Sequence, residues 1–364
     1  MDRRKFVTKG AALATLGSLM GCGAKASSET NQSKKKHRWR MAMVVPKTLP
    51  LWGEGIQRFA ELVKTLSDGR LDIRVYGAGE LFPAMELFDK VREGRVQIGH
   101  GAAYYWRGKV PASVFFTSIP FGMNGNGMNA WIRNGGGQEL WDELYNPLGV
   151  FAMPMGNTGV QFGGWFRKEI KSLEDFKGLK MRMPGLGGMV IGRAGAQEIT
   201  LPGGDILTSL QTGVIDATEW IGPYHDTLMG FHKAADFYYT GGWHEPGSLL
   251  ELLINKEAWS ELDDTLRAIV KAAAAQIHLE MSNAWIAKDA MAFQELKLNP
   301  KIKLKTFPVE LIQNLKEISD EIVEEIASTS PLARKVHDSF KEFQQVHQAY
   351  EDVSELAYAS YLRP

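Results

Sequence analysis

Along the chain, short apolar or alternating runs give way repeatedly to apolar residues at helical spacing. Arg40-Met-Ala-Met-Val-Val45 is a strand-length run closed by Pro46. Gly53 to Leu66 then places Ile56, Phe59, Ala60 and Val63 on one helical face. Leu71-Asp-Ile-Arg-Val-Tyr76 alternates with period two, the pattern of a half-buried strand. Pro83 to Arg92 opens with proline at a plausible first helical turn and carries Leu87, Phe88 and Val91. Gln97-Ile-Gly-His-Gly-Ala reads as the next strand. This βαβαβ order predicts a mostly parallel sheet covered by helices on both faces.

A second set begins near Gly159. Val160 to Phe166 is strand-like, Ser172-Leu-Glu-Asp175 has the form of a capping box, and Lys180-Met-Arg-Met183 is a strand stopped by Pro184-Gly185. The glycine-rich stretch after it reads as a loop. Gly204 to Gln211 (helix), Ile215 to Thr218 (strand), Pro223 to Ala235 (helix) and Asp236 to Thr240 (strand) complete the set. Two sets predict two lobes with a cleft between them, lobe I over 38–158 and lobe II over 159–248. Residues 249–364 then supply a crossing strand, a long helix and C-terminal helices that finish both lobes.

That long helix is the stretch from Asp263 to about Leu296, which lacks glycine and proline and would run ~50 Å if unbroken. It either braces both lobes or crosses to a second subunit, with Ile269, Ile277, Met281 and Trp285 as its apolar contacts. A homodimer made by such an exchange is the expectation. Lys301-Ile-Lys-Leu-Lys-Thr-Phe307 alternates like an edge strand guarded by lysines. Val309 to Tyr361 is amphipathic helix.

The first 37 residues follow different rules. Arg3-Arg4 precedes an uncharged run from Gly10 to Gly21, too short for a stable membrane anchor, which takes ~20 residues. Residues 1–22 therefore read as an export signal of the twin-arginine type. Leu19-Met-Gly-Cys22 has the order of a lipobox, which would make Cys22 a lipidated first residue; a plain signal cleaved further on is the alternative. Residues 23–37, rich in Ser, Lys and Asn, read as a tether. Cys22 is the only cysteine, so no disulfide supports the fold. The formal net charge is zero, and removing residues 1–21, which carry Arg3, Arg4, Lys5 and Lys9 against Asp2, leaves a body three charges negative. Such a body has no basic excess for nucleic acid.

The chemistry concentrates between residues 156 and 247. Arg182 sits at a strand end, and Glu219 lies beside Trp220 and Ile221. One fixed cation, close backbone approach and an apolar wall suit a small carboxylate, which a guanidinium grips through two parallel hydrogen bonds. Glu219 in an apolar setting needs a partner, either a basic side chain or a bound cation. Glu245, in Trp243-His-Glu-Pro-Gly, reads as a loop acid. Either Tyr104 or Tyr105, after the third strand, is placed to offer a hydroxyl, and Asn157 an amide. No nucleophile elbow or P-loop is present, and a G-x-G-x-x-G fingerprint at Gly185 fails at Val190. The segment thus reads as a binding site, and the protein as no enzyme.

The residues Gly156-Asn-Thr-Gly-Val-Gln161-Phe-Gly-Gly-Trp-Phe-Arg, Gly178-Leu-Lys-Met-Arg182-Met-Pro-Gly, Leu201-Pro-Gly-Gly-Asp, Leu210 to Tyr224 with Glu219-Trp220, and Gly242-Trp-His-Glu-Pro-Gly247 stand in a characteristic order. From about residue 38 onward the chain resembles the periplasmic solute-binding proteins of TRAP transporters, in particular those that bind 2-oxo acids and lactate. The resemblance implies a two-lobed α/β periplasmic binding-protein fold of the type II kind with a long C-terminal helix. It implies a periplasmic protein that takes a small 2-oxo or 2-hydroxy monocarboxylate to a membrane permease. It implies Arg182 as the carboxylate clamp, and Gln161, Glu219 and the backbone oxygen of Trp220 as ligands of a Na⁺ or Ca²⁺ that also meets the substrate. Glu245 would be a further ligand of the ion or lie just behind it, and the Trp220 ring would wall the pocket. All-oxygen ligation suits such hard ions. A ligand-binding subunit for a signalling receptor is the alternative function.

Overall fold

The computed structural model describes residues 35–362; residues 1–22, read above as an export signal, and residues 23–34 of the expected tether lie outside them. β1 (His37–Met43), α1 (Trp52–Leu66), β2 (Leu71–Tyr76), α2 (Leu87–Arg92) and β3 (Ile98–Gly101) follow the alternation of the sequence. On α1 the helical spacing puts Ile56, Phe59 and Val63 in the core, and the Glu54 carboxylate caps the N-terminus by accepting from Leu51 N at 3.1 Å. α3 (Gly125–Asn134), α4 (Gly137–Tyr145) and β4 (Val150–Asn157) come next. Sequence reading passed over these three. The two helices are anchored by large aromatics, with Trp131 and Trp141 both stacked on Phe116, and β4 buries Val150, Ala152 and Met155.

β5 (Gly164–Phe166), β6 (Lys180–Arg182), α5 (Gly185–Arg193), β7 (Gln197–Ile199), α6 (Gly203–Thr212), β8 (Ala217–Thr218), α7 (Pro223–Met229) and β9 (Phe237–Tyr239) form the second set. Its strands are shorter than the apolar runs suggest: only the last three residues of the Val160–Phe166 stretch pair in a sheet. The glycine-rich stretch after Arg182 is a helix, not the loop that its composition predicts. Its glycines are packing residues: a Cβ on Gly188 would stand 2.1 Å from the Met183 carbonyl oxygen. Leu186, Val190 and Ile191 are buried from the same helix.

β10 (Leu249–Asn255) returns the chain to the first sheet, and α8 (Lys256–Ser260), α9 (Asp264–Leu296), β11 (Lys303–Lys305), α10 (Val309–Ala327) and α11 (Pro331–Val353) follow. Among the described residues the first sheet has the order β2-β1-β3-β10-β4 and the second β11-β9-β5-β8-β6-β7. Both are mixed, not mostly parallel. β1 runs parallel to β2 and β3, whereas β10, which brings the chain back, runs against β3 and β4. In the second sheet β5 is antiparallel to both β8 and β9. β11 is an edge strand, as its alternating lysines predict.

α9 is the 33-residue helix anticipated from the glycine-free stretch. Ile277, Met281 and Trp285 are buried, and the helix packs on α1, α7 and β4 of its own chain. These contacts make a brace between the two sheets, while Leu279, Ile286 and Met291 of the same helix stay exposed.

Candidate functional site

The second sheet sets Arg182 and Glu219 side by side. β6 and β8 are parallel neighbours in which Arg182 pairs with Thr218, and the Glu219 N–H donates to the Arg182 carbonyl at 3.2 Å. Both side chains therefore leave the same end of the sheet, where ligands of open α/β sheets bind. Gly164 on β5 makes this tight arrangement possible. Its φ is +107°, and a Cβ there would lie 2.6 Å from the Thr218 carbonyl oxygen.

Arg182 is 1 % exposed. Its Nη1 donates to a Glu219 carboxylate oxygen and, at 3.1 Å, to the Glu219 carbonyl; its Nε points to the Leu201 carbonyl at 3.4 Å. Its guanidinium lies over the Trp220 ring at 5.1 Å. The other face of the site is built by the loop after β9. Gln161 N donates to the Glu245 carbonyl, and Gly242 N to the Gln161 carbonyl, at 3.1 and 2.9 Å. His244 Nε2 lies 3.2 Å from the second Glu219 oxygen. The Glu245 carboxylate accepts from the Ser248 hydroxyl and, at 2.8 Å, from Gln161 Nε2. Ligating atoms of Glu219, His244 and Glu245 all lie within 4.8 Å of one another.

The hydrogen bonds left unmade define what the site can do. Gln161 Nε2 spends its donors on Glu245 and on Thr158 Oγ1, the latter at 3.1 Å, which leaves the amide oxygen as the open end. That Oε1 is buried without a partner, as are Arg182 Nη2, Trp220 Nε1 and His244 Nδ1. Buried polar atoms are normally paired, so such a group of orphans marks a place for further polar partners. Two buried carboxylates face one guanidinium. Burial pushes the Glu245 carboxyl up to about 7, and the neighbouring Glu219 charge adds to the rise, against His244, Ser248 and Arg182. Burial works against the Arg182 charge, but Glu219 and its neighbours outweigh it and raise the guanidinium further. Open amide oxygen and paired carboxylates are hard donors and fit a cation of the Na⁺ or Ca²⁺ kind.

Of the residues singled out from sequence, the structure brings Gln161, Arg182, Glu219, Trp220 and Glu245 into one cluster. Tyr104 and Tyr105 both approach it, with rings 4.8 Å apart in an edge arrangement. Burial raises both hydroxyls, and both feel Arg182, Glu219 and Glu245. Asn157 hydrogen-bonds outside this cluster. Its Oδ1 accepts from Gly159 N at 2.9 Å and its amide faces Asn129, so its polar atoms serve the turn after β4. His244, in the Trp243-His-Glu-Pro-Gly loop, also touches Glu219. Trp52, unremarked in sequence, stacks on Trp220 at 6.3 Å. Trp52 falls on the buried face of α1, four positions before Ile56, but its contact with a loop 168 positions away is made only by folding.

The profile of the bacterial extracellular solute-binding proteins, family 7, matches residues 41–330. The monocarboxylate 2-oxoacid-binding periplasmic protein of Nostoc sp. is 40 % identical over 361 residues, covering 99 % of each chain. A TRAP periplasmic solute-binding protein from Pseudoalteromonas atlantica, solved with bound sodium and pyruvate, superposes with a TM-score of 0.87 at 39 % identity, over 90 % of this chain and 99 % of that one. A TRAP solute-binding protein from Bordetella bronchiseptica, a mixed-occupancy dimer with calcium and picolinate in one active site, gives 0.88 at 35 % identity, over 90 % and 97 %.

Proposed function

Since the chain belongs to the bacterial extracellular solute-binding proteins of family 7, and is a TRAP-transporter solute-binding protein, we propose that it captures a small 2-oxo or 2-hydroxy monocarboxylate together with a cation and hands it to the membrane permease. The observation that carries this reading is the buried cluster itself: Arg182 with a free Nη2, set against the open Gln161 oxygen and two carboxylates. Arg182 grips the substrate carboxylate. Gln161, Glu219, Glu245 and the Trp220 backbone oxygen hold the ion, which offsets repulsion between substrate and acids. Charge counting favours this composition. Arg182, two glutamates and a monocarboxylate sum to two negative charges, which a divalent ion neutralises and a sodium ion halves. The relatives holding pyruvate with sodium and picolinate with calcium support both choices.

The two sheets are the frameworks of lobes I (38–158) and II (159–248), completed by residues 249–364, and one of the two tyrosines donates to the substrate. Calorimetry with pyruvate, lactate, 2-oxobutyrate and a dicarboxylate, each with Na⁺, Ca²⁺ or chelator, tests the reading. Binding of pyruvate that weakens when both ions are withheld is the expected result, because ion and ligand affinities must be reciprocally coupled. Ion-independent binding, or preference for the dicarboxylate, overturns it.

The family is extracytoplasmic, and among the described residues no helix is long and apolar enough to cross a membrane. Export through a twin-arginine signal and lipidation at Cys22 complete the proposal. Cys22→Ser should abolish lipid labelling in the native host; unaltered processing beyond residue 22 would identify an ordinary signal peptide. The protein also forms a homodimer, on the surface argued below.

A further inference from the structure

Next to the site, one side chain spans from the first sheet's half of the molecule to the second's. Arg107 follows the single 3₁₀ turn Ala103–Trp106 that continues β3. Its Nη1 donates to the Gly185 carbonyl at 3.0 Å, and its Nη2 pairs with the Glu198 carboxylate. Gly185 is the first residue of α5, three positions after Arg182, and Glu198 lies on β7 beside β6. The same turn supplies Tyr104, whose ring packs so closely on Gly185 that a Cβ there would stand 3.0 Å from Cδ1, with Gly185 at φ +69°. A side chain at 185 would therefore be both strained and in the way.

Among the described residues Glu198 has no other basic partner. Burial pushes its carboxyl up, and Arg107 is what opposes that rise. Withdrawing Arg107 would leave a half-buried carboxylate unpaired, so the pair favours whichever arrangement keeps the two halves together.

We propose that Arg107 is a positioning residue that latches the two halves shut over the binding site, through Glu198 and the Gly185 carbonyl, and thereby sets how slowly bound ligand leaves. It touches neither the proposed ion nor the proposed substrate, so its effect falls on release and not on recognition. Loss of a closing contact raises the dissociation rate, whereas the association rate depends on the open form. The inference rests on the binding reading given above.

The test is stopped-flow release of pyruvate, in saturating Na⁺, from the full-length mature protein and from Arg107→Met, Arg107→Lys and Glu198→Gln. Arg107→Met and Glu198→Gln should release about tenfold faster with little change in association rate. Arg107→Lys, which keeps the charge but cannot reach two acceptors in a fork, should fall between. Thermal melting of the ligand-free variants serves as the folding control. A wild-type release rate in Arg107→Met overturns the latch. If the wild-type protein binds no pyruvate, the functional reading fails and small-angle scattering of the ligand-free proteins decides the latch: a larger radius of gyration in Arg107→Met upholds it, and equal radii overturn it.

Discussion

At the scale of single residues, Arg182 carries the sharpest expectation. It is the one guanidinium in a cluster of buried acids, and its free Nη2 can add a second parallel bond to a carboxylate. Arg182→Lys keeps the charge and loses the planar fork. Ligand affinity should fall by roughly 2–4 kcal/mol, measured by calorimetry, while the melting temperature stays near wild type. Unchanged affinity would remove Arg182 from the binding role. A second residue-scale expectation concerns pH and lies away from the site. Glu251 is fully buried on β10, where its Oε1 accepts from Trp106 Nε1 at 2.6 Å. Burial pushes its carboxyl from the ordinary 4.5 up to about 8, against the Trp106 and Tyr145 contacts. A folded-state value above the unfolded one means that this group's contribution is intact below pH 4.5 and is lost as pH rises to 8. The loss amounts to roughly 5 kcal/mol at most. Glu251→Gln keeps an acceptor for Trp106 but cannot ionise. Urea midpoints of the two proteins should therefore diverge between pH 5 and 8, with the wild type declining relative to the variant. Asp226, also raised by burial to about 7, declines in both proteins and cancels in the difference. Parallel curves would mean that Glu251 titrates normally.

At the scale of elements, two tryptophan–histidine relays tie helices to the backbone behind the site. Trp52 Nε1 on α1 donates to His100 Nδ1 at 3.0 Å, and His100 Nε2 meets the Met155 carbonyl at 2.8 Å. Trp285 Nε1 on α9 donates to His225 Nδ1 at 3.1 Å, and His225 Nε2 meets the Pro50 carbonyl at 2.9 Å. Burial lowers both histidines to about 4, so each stays neutral with one nitrogen donating and one accepting. The two indoles meet edge to face at 6.1 Å. Trp285→Ala should cost ~3–5 kcal/mol through the cavity it leaves. Trp285→Phe, which fills much of that space but leaves His225 Nδ1 unpaired, should cost ~1–3 kcal/mol. Urea unfolding measures both, and a neutral Trp285→Phe would show that the relay adds nothing to packing. These relays also explain what sequence could and could not disclose. Periodicity located α1 and β2 because each buries one regular face, and the lack of glycine and proline located α9. Sequence reading passed over α3 and α4, whose burial rests on aromatics such as Trp131 and Trp141 packed on Phe116, and over β4. It made α5 a loop because its glycines read as breakers when they are close-packing positions. In the site, Arg182, Gln161, Glu219 and Glu245 were legible because they sit in ordered local motifs. Trp52, His244 as a Glu219 partner, and Arg107 were not, since each acquires its role from a contact made only by folding.

At the scale of the whole molecule, the question is which surface a second copy would cover. The sequence points to α9, where Ile277, Met281 and Trp285 turn inward and Ile269 is half-buried, while Leu279, Ile286 and Met291 stay exposed. A second open apolar surface lies further on. Val346, Tyr350 and Val353 are 67, 70 and 75 % exposed, and they stand at i, i+4 and i+7 on α11, which makes one stripe. Tyr358, Tyr361 and Leu362 continue exposed apolar surface past the helix end. The N-terminal part of α11 is anchored in the core by Ala333, Val336 and Phe340, and the stripe lies on the C-terminal part beyond the last buried residue, Gln344. Contiguous exposed apolar surface of this kind marks an interaction site more often than a bare monomer face. The Bordetella bronchiseptica relative is a dimer, which is consistent with a partner for such a stripe. Light scattering of the mature protein at high micromolar concentration should give twice the chain mass. The triple variant Val346→Glu, Tyr350→Lys, Val353→Glu should give the monomer mass with an unchanged circular dichroism spectrum, since all three side chains are exposed and none supports the core. A dimer that survives the triple change would move the interface off α11, and a monomeric wild type would leave the stripe without a second copy to cover it.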